Sequence, residues 1–211
     1  MPASDALEAL RRRVAARVAG MAKGEAASWI AGHGLLSMAG CEALPAGVRE
    51  RLREALRRSA AHNLLAVARF QQAADALAAA GVPACPLKGI HLLDTVYRDD
   101  PGARPLSDVD LLVPAGAADE AVARLEAALE LRETPLSRRL RGVHPERVLA
   151  GRAFVLELHT RLGPAHGWAS TWEEVSPVPG RVHGREVHVL DRETTLVHLV
   201  THLVRHRPLS R

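Results

Sequence analysis

The chain has 211 residues, a formal net charge of +4, 47% hydrophobic residues and only 3% aromatic residues. This length suffices for one ordinary domain or two small ones, with a core built mainly from Leu, Val and Ala. The few aromatic side chains argue against a stacking surface for single-stranded nucleic acid. Nucleic acid is therefore a possible partner that we do not favour, and the small positive excess still permits a basic groove for an anionic substrate.

The cysteines and the apolar runs predict the cellular location. Cys41 and Cys85 are far apart and have no metal-ligand spacing, which is typical of free thiols in a reducing compartment. The first residues lack a signal-peptide pattern, and no apolar run reaches the ~20 residues that a membrane span needs. We therefore expect a cytoplasmic protein without a membrane association.

Residues 1–80 are predicted to be helical. A first helix begins at Ser4 or Asp5, a second and weaker helix covers Glu25 to Met38 with Gly32 and Gly34 interrupting it, and a long helix covers Val48 to Ala80. The long helix carries many arginines in its first half. Glutamates at helical spacing can pair with these arginines, so we favour a solvated helix surface over a nucleic-acid contact.

The pattern changes after residue 80 to alternating strands and helices. A short strand from Ala84 to Leu87 leads into a helix from Ile90 to Tyr97. The next strand covers Asp108 to Val113, and a helix from Ala117 to Leu131 follows it. Residues 133–152 are rich in arginine and contain two prolines, and their apolar residues fit neither the helical period nor the strand period.

The last third of the sequence predicts two more strands and a final helix. Ala153 to His159 alternates clearly, and Arg185 to Leu190 is a second strand. The segment 164–180 between them is predicted as a loop or a short helix. Asp191 is placed to cap a final helix that ends near Arg207. A helical front and a mixed back together predict the α+β fold class.

Asp108 and Asp110 are the most informative pair of residues. They stand two positions apart in a β-prone run, and alternate side chains of a strand share one face. The two carboxylates are then close together, while Val109 and Leu111 point into the core. Like charges held this close are costly to bury, and a divalent cation such as Mg²⁺ converts that cost into affinity.

A third acidic residue, Glu157, lies on a later predicted strand. If that strand neighbours the one with Asp108 and Asp110, three carboxylates converge on one face. Such a set suits two-metal phosphoryl chemistry, in which two ions about 3.5–4 Å apart assist the attacking and the leaving oxygen. His159 shares the face of Glu157, where it could contact substrate, assist proton transfer or form a structural hydrogen bond.

The turn at Lys88 and Gly89 suits a phosphate group. Gly89 lets the backbone approach closely, the helix that follows directs free N–H groups at an anion, and Lys88 adds a positive charge. Arg104, just before the acidic strand, is a second candidate for the phosphates.

Three histidines form one stripe on the final helix. His198, His202 and His206 recur every four residues, which places them on the same helix face. Packing, substrate contact and a zinc site are the alternatives. We favour packing or substrate contact, because no cysteine or acidic ligand stands nearby in the sequence.

The order of these motifs resembles the nucleotidyltransferase-like proteins of the DNA polymerase β superfamily, and in particular a bacterial group of uncharacterised nucleotidyltransferases. The resemblance covers about residues 80–207. The motifs that carry it are Leu87-Lys88-Gly89, then Tyr97, then Arg104-Pro105-x-x-Asp108-x-Asp110, then Leu156-Glu157-Leu158-His159, and then the helix with His198, His202 and His206.

The resemblance implies a metal site and a nucleotide site. Asp108, Asp110 and Glu157 would be the catalytic residues and would bind two Mg²⁺ ions, with Mn²⁺ as the alternative metal. The superfamily has Gly-Ser at the turn where this chain has Lys-Gly. The residues implied for the nucleotide and its phosphates are Lys88, Gly89, Arg104 and His159.

The predicted activity is Mg²⁺-dependent transfer of a nucleoside monophosphate from a nucleoside triphosphate such as ATP to an acceptor hydroxyl. The acceptor is a small molecule, a peptide or protein, or an RNA end. The predicted domains are a helical N-terminal region, 1–80, and a nucleotidyltransferase domain, 81–211, to which relatives can add further C-terminal helices. Two alternatives stay open, namely a binding module with weak or no turnover and an antitoxin-like protein that acts with a partner protein.

Overall fold

A computed structural model of the chain describes residues 3–152, 154–163 and 170–206. Helices and strands alternate along most of the second half, and the predicted α+β fold class is confirmed. The helices in the described residues are α1 (Ala3–Val18), α2 (Lys23–Gly32), α3 (Ala46–Ala79), α4 (Lys88–Thr95), α5 (Ala118–Leu129), α6 (Pro135–Arg139), α7 (Trp172–Val175) and α8 (Arg192–His206). The strands are β1 (Cys85–Pro86), β2 (Val109–Leu112), β3 (Arg132–Glu133), β4 (Glu146–Ala150), β5 (Val155–His159), β6 (Arg161–Leu162), β7 (Ser170–Thr171), β8 (Val178–Val182) and β9 (Arg185–Val189).

The chain divides into two compact units. The first unit contains Met1–Leu64 and Tyr97–Pro105, and the second contains Leu65–Val96 and Leu106–Arg211. Helix α3 contributes its first half to one unit and its second half to the other. The functional division into residues 1–80 and 81–211 stays a prediction.

The first unit is a small helical bundle with an apolar core. Its largest fully buried side chains include Ile30 and Leu52. The helix predicted from Glu25 to Met38 is interrupted at the predicted glycines: α2 ends at Gly32, and a short 3₁₀ helix follows at Leu36–Gly40. Gly34, between the two pieces, has a φ of +69°, a conformation that ends an α-helix and that glycine adopts without steric cost.

A buried asparagine holds the long loop of the first unit. The Asn63 amide on α3 donates hydrogen bonds to the carbonyl oxygens of Pro101 (2.5 Å) and Arg104 (2.8 Å). A buried amide without partners would be destabilising, so these bonds fix the loop against the helix.

The second unit is built on a five-stranded sheet in the order β1-β2-β5-β4-β3. Strands β2 and β5 are parallel, and the other neighbouring pairs are antiparallel. The register places Asp110 directly opposite Glu157. The sheet thus confirms that the strands of the predicted acidic residues are neighbours. Helix α5 buries an apolar stripe of Ala121, Val122, Leu125 and Leu129.

Strand β2 is shorter than predicted. It covers Val109–Leu112 rather than Asp108 to Val113, so Asp108 lies immediately before the strand. Val109 and Leu111 are fully buried, as the alternation predicted. Asp110 is buried as well, with 2% of its surface exposed, so β2 is covered on both faces.

The segment 133–152, which fitted neither a helical nor a strand period, contains the last residue of β3, then α6 and β4. Its interior is polar, which is why a hydrophobic pattern does not find it. Glu133 is buried and accepts hydrogen bonds from Ser137 Oγ (2.8 Å), from Arg141 Nη2 (2.5 Å) and from Arg147. We call these four residues the Glu133 cluster.

The C-terminal part contains a β-hairpin, of which only the second strand was predicted. Strands β8 and β9 are joined by His183 and Gly184, whose φ angles of +47° and +78° match a two-residue turn with two left-handed residues. Pro179 and Gly180 make β8 resemble a loop in sequence, yet a proline is tolerated in an edge strand.

The final helix begins as predicted. Asp191 Oδ1 accepts a hydrogen bond from the backbone N–H of Thr194 (2.8 Å), so Asp191 caps α8. Ala153 and Arg207, the predicted ends of a strand and of this helix, lie outside the described residues. Among the helices that are described, none combines the length and the apolar character needed to cross a membrane. Cys41 and Cys85 are free and buried thiols.

Candidate functional site

Parallel pairing of β2 and β5 brings three predicted site residues together. Asp110 and Glu157 face each other in register, and His159 follows two positions later on the same face of β5. One ligand atom from each of the three residues lies within 4.8 Å of the other two. This group could hold a metal ion. Among the described residues, no other group of three or more His, Cys, Asp or Glu side chains brings its ligand atoms this close together.

Asp110 is the most constrained member of this group. Its Oδ1 accepts hydrogen bonds from Lys88 Nζ (2.5 Å) and from His159 Nε2 (2.8 Å). Burial favours the protonated carboxyl. The hydrogen bond from His159 and the positive charge of Lys88 nevertheless lower the pKa of Asp110 to about 2. Asp110 is therefore ionised at neutral pH, and a carboxylate only accepts, so Nε2 of His159 carries the proton.

Lys88 reaches Asp110 from a strained turn. It is the first residue of α4 and has a φ of +46°, a left-handed conformation that is unusual for a residue with a side chain. The preceding Leu87 is extended, and Gly89 behind it is buried. Strand β1 thus ends at a sharp turn whose lysine ammonium points at the buried carboxylate.

The negative charges of the other two acidic residues are compensated less completely than that of Asp110. Burial, followed by the charge of Asp110, raises the pKa of Asp108 and also that of Glu157. Asp108 is half-buried and lies outside the group of three close ligand atoms, although its charge still affects Glu157. Two carboxyl groups with raised pKa values thus lie beside a third that is ionised, and a divalent cation would relieve the repulsion among their negative charges. Carboxylate oxygens are the donors that Mg²⁺ prefers. The residues present therefore fit such an ion. We call Lys88, Asp108, Asp110, Glu157 and His159 the Asp110 cluster.

Glu146 is a member of the site's surroundings that the sequence did not indicate. It lies on β4 opposite His159, and its Oε1 is 3.8 Å from His159 Nδ1. No signal in the sequence could have placed it here, because residues 133–152 show no strand pattern. Its position lets it orient the ring of His159 from the side remote from Asp110.

Arg104 is described with the first unit. Its side chain is half-buried, and its Nε has no hydrogen-bond partner among the described residues. Its contact with phosphate stays a prediction.

The first histidine of the predicted stripe, His198, is buried on α8. Neither ring nitrogen has a hydrogen-bond partner within the described part of the chain. Burial, and after it the charge of Lys88, lowers the pKa of His198 to about 4, so the ring is neutral at pH 7. The rings of His198 and His202 are 6.5 Å apart, and neither belongs to the metal-ligand group found in the described residues. The side chain of His206 lies outside the described residues.

The sequence comparisons agree with this geometry. Residues 15–210 match the model of a family described as "Uncharacterised nucleotidyltransferase", and the chain belongs to that family. The resemblance inferred from the motifs is confirmed. Membership supports transfer of a nucleotidyl group as the general class of reaction. No protein of curated function matches the chain by sequence.

A solved structure shares the fold. It is the solution structure of the antibiotic-resistance factor ANT(2'')-Ia, described as revealing substrate-regulated conformation dynamics. The two chains are 15% identical, the superposition covers 71% of this chain and 77% of the other, and the TM-score is 0.52. At this identity the likeness establishes the fold alone, which is that of a nucleotidyltransferase.

Proposed function

We propose that the protein is a Mg²⁺-dependent nucleotidyltransferase, which moves a nucleoside monophosphate from a nucleoside triphosphate to an acceptor hydroxyl and releases pyrophosphate. The observation that carries this proposal is the pairing of Asp110 with Glu157 across parallel strands, with Lys88 and His159 bonded to the same Asp110 oxygen. Family membership supplies the reaction class. The acceptor is a small molecule, a peptide or protein, or an RNA end, and the location is the cytoplasm.

Asp108, Asp110 and Glu157 would hold two Mg²⁺ ions, or Mn²⁺ in their place. Bound ions of this kind neutralise phosphate charge and align the attacking and leaving oxygens. Asp110, ionised at neutral pH, presents a carboxylate without first losing a proton. Glu157 and Asp108 carry raised pKa values in the free protein, so cation binding and their deprotonation favour each other.

Lys88 and His159 position Asp110. Both bond to Oδ1, which fixes the carboxylate rotamer and leaves Oδ2 as the oxygen turned to other partners. Gly89 at the start of α4 leaves room for the backbone to approach a phosphate. The proposed phosphate-binding turn, Lys88-Gly89, is thus tied to the Asp110 carboxylate through the side chain of Lys88. Arg104 remains a second proposed phosphate contact.

One observation favours a second candidate, a nucleotide-binding module without turnover. The Lys88 ammonium already neutralises Asp110, at a turn where the superfamily has Gly-Ser. A lysine that permanently replaces a metal charge would allow nucleotide binding that does not need Mg²⁺. The two candidates therefore differ in the metal dependence of binding.

The test is calorimetric titration of the protein with each of the four nucleoside triphosphates, with and without Mg²⁺. Asp108→Asn/Asp110→Asn removes two charges from the Asp110 cluster. Glu42→Gln/Asp99→Asn removes two charges from exposed positions and serves as the matched control. Binding that requires Mg²⁺, is kept by the control and is lost in the cluster variant supports the transferase. Binding without Mg²⁺ supports the module, and no binding contradicts both.

A further inference from the structure

Helix α8 turns its polar side inward. His198 is buried and Thr201 and His202 are half-buried. Five large apolar side chains of the same helix are exposed, namely Leu196, Val197, Val200, Leu203 and Val204, and a sixth, Leu199, is half-buried. A helix that served only to complete the core would bury its Leu and Val residues instead. Apolar packing through Leu199 therefore does not by itself account for the mainly polar inward side.

His198 is the least satisfied group on that side. Its exposed fraction is 5%, and both ring nitrogens lack a hydrogen-bond partner among the described residues. A buried polar atom without a partner lowers stability, and such atoms are rare in folded proteins. A neutral imidazole offers one N–H donor and one lone pair, so a ligand oxygen placed beside it would remove the deficit.

The cavity beside His198 is small and polar. Its volume is about 20 Å³, and it is lined by Lys88, Glu146, His159, Gly163, His198, Thr201 and His202. This space accepts one oxygen-sized group, whereas a base or a sugar is too large for it. No apolar side chain is among the lining residues, and hydrogen-bond donors outnumber the single carboxylate. A phosphate oxygen has the size and the charge that these residues accept.

We propose that His198 donates a hydrogen bond to a phosphate oxygen of the bound nucleoside triphosphate, so that α8 forms one wall of the phosphate site. The inference rests on the proposed function, because it places a contact in that same site. The proposed contact explains why the free protein buries a polar helix side and an imidazole without a partner. The free protein is less stable because His198 is buried without a partner, and the hydrogen bond that satisfies it forms only with the ligand.

The experiment compares two apolar replacements, His198→Phe and His198→Leu, with His198→Gln, which keeps a donor. The exposed His62→Phe is the control for a His-to-Phe change. Affinity is measured by calorimetry for the four nucleoside triphosphates with Mg²⁺ and for inorganic tripolyphosphate. Thermal melting is recorded for every variant.

Both apolar variants are expected to bind about tenfold to a hundredfold more weakly, as befits a lost hydrogen bond to a charged group. The loss is the same for all four nucleotides and for tripolyphosphate, because the phosphate chain is their common part. His198→Gln recovers part of the affinity. The melting temperatures of the apolar variants equal or exceed that of the wild type, because an unsatisfied buried group has been removed.

Three results would overturn the inference while wild-type binding remains intact. Apolar variants that bind like the wild type would show that the ring contacts water only. A loss limited to one nucleotide would indicate a base contact. Melting temperatures far below the wild type in both apolar variants would indicate a structural role. A wild type that binds no nucleotide would instead contradict the proposed function itself.

Discussion

Two buried polar clusters of the second unit differ in how completely their groups are paired. In the Glu133 cluster the carboxylate accepts from Ser137, Arg141 and Arg147, and Arg147 also donates to Asp119 Oδ1 (2.9 Å). In the Asp110 cluster Asp110 has two short bonds, whereas Glu157 has only the His159 ring nitrogen at 3.7 Å, and the neighbouring His198 has no hydrogen-bond partner within the described residues. The first cluster is closed and the second is open.

The pKa values report the same difference. Burial opposes the charge of Glu133, but hydrogen bonds from Arg147 and Arg141 lower its pKa to about 2. In the open cluster, burial and the charge of Asp110 raise the pKa of Asp108 and of Glu157. Breaking a closed cluster leaves a buried charge without its partner and is costly, whereas an open cluster of like charges is relieved when a cation or ligand binds to it.

Asp110→Asn should have the largest effect on activity. We expect pyrophosphate release from a nucleoside triphosphate, with water or an added hydroxyl compound accepting the nucleoside monophosphate, to fall on the order of a thousandfold, because several kcal/mol of charge stabilisation depend on this carboxylate. Initial rates at saturating Mg²⁺ measure the effect, with Glu42→Gln as the control. An Asp110→Asn enzyme as fast as the control would remove Asp110 from the catalytic site.

Glu133→Gln should have the largest effect on stability. It leaves the buried Arg147 without its main counter-charge, so we expect the free energy of unfolding to fall by about 3–5 kcal/mol. Chemical denaturation measures this change. Asp119→Asn is the matched control, since it removes the exposed partner of the same arginine and should cost less than about 1 kcal/mol. Equal losses in both variants would refute the closed cluster.

The closed cluster also predicts an acid dependence. The pKa of Glu133 is lowered from 4.5 to about 2, so its contribution to stability is complete above pH 4.5 and is lost as the pH falls toward 2. Denaturation curves between these pH values should decline less steeply for Glu133→Gln than for the wild type. Parallel declines would show that Glu133 is not the group that titrates.

Glu157→Gln should change stability least. The raised pKa of Glu157 means that its charge disfavours the folded protein at neutral pH, so neutralising it leaves the free energy of unfolding within about 0.5 kcal/mol or raises it. Denaturation in the absence of Mg²⁺ measures the change. A substantial loss of stability would place Glu157 in a closed network like that of Glu133.

Simple alternation predicted much of the open cluster. Asp110 alternates with apolar residues in its strand and Glu157 does so in its own, so the period of two predicts a polar position in each strand. That the two positions meet was conditional on the strands being neighbours, which the structure shows. The stripe of His198 and His202 follows from the helical period in the same way. Alternation could not predict that Lys88 is the ion-pair partner of Asp110. Lys88 reaches Asp110 from a turn in which its own backbone is left-handed.

The closed cluster could not be predicted. Glu133 and Arg147 are charged, and a hydrophobic pattern places charged residues on the surface. Their burial is possible because each neutralises the other, which requires a strand pairing that is known only from the fold. Glu146 was missed for the same reason, since β4 lies in this segment.

The most direct test of the Asp110 cluster as the metal and nucleotide site compares three proteins: the wild type, Glu157→Gln and Glu133→Gln. Their affinities for a Mg²⁺–nucleoside triphosphate complex are measured by calorimetry at a temperature where all three are folded. We expect the wild type and Glu133→Gln to bind equally and Glu157→Gln not to bind. Equal binding by Glu157→Gln and the wild type would contradict the assignment of the open cluster as the metal and nucleotide site.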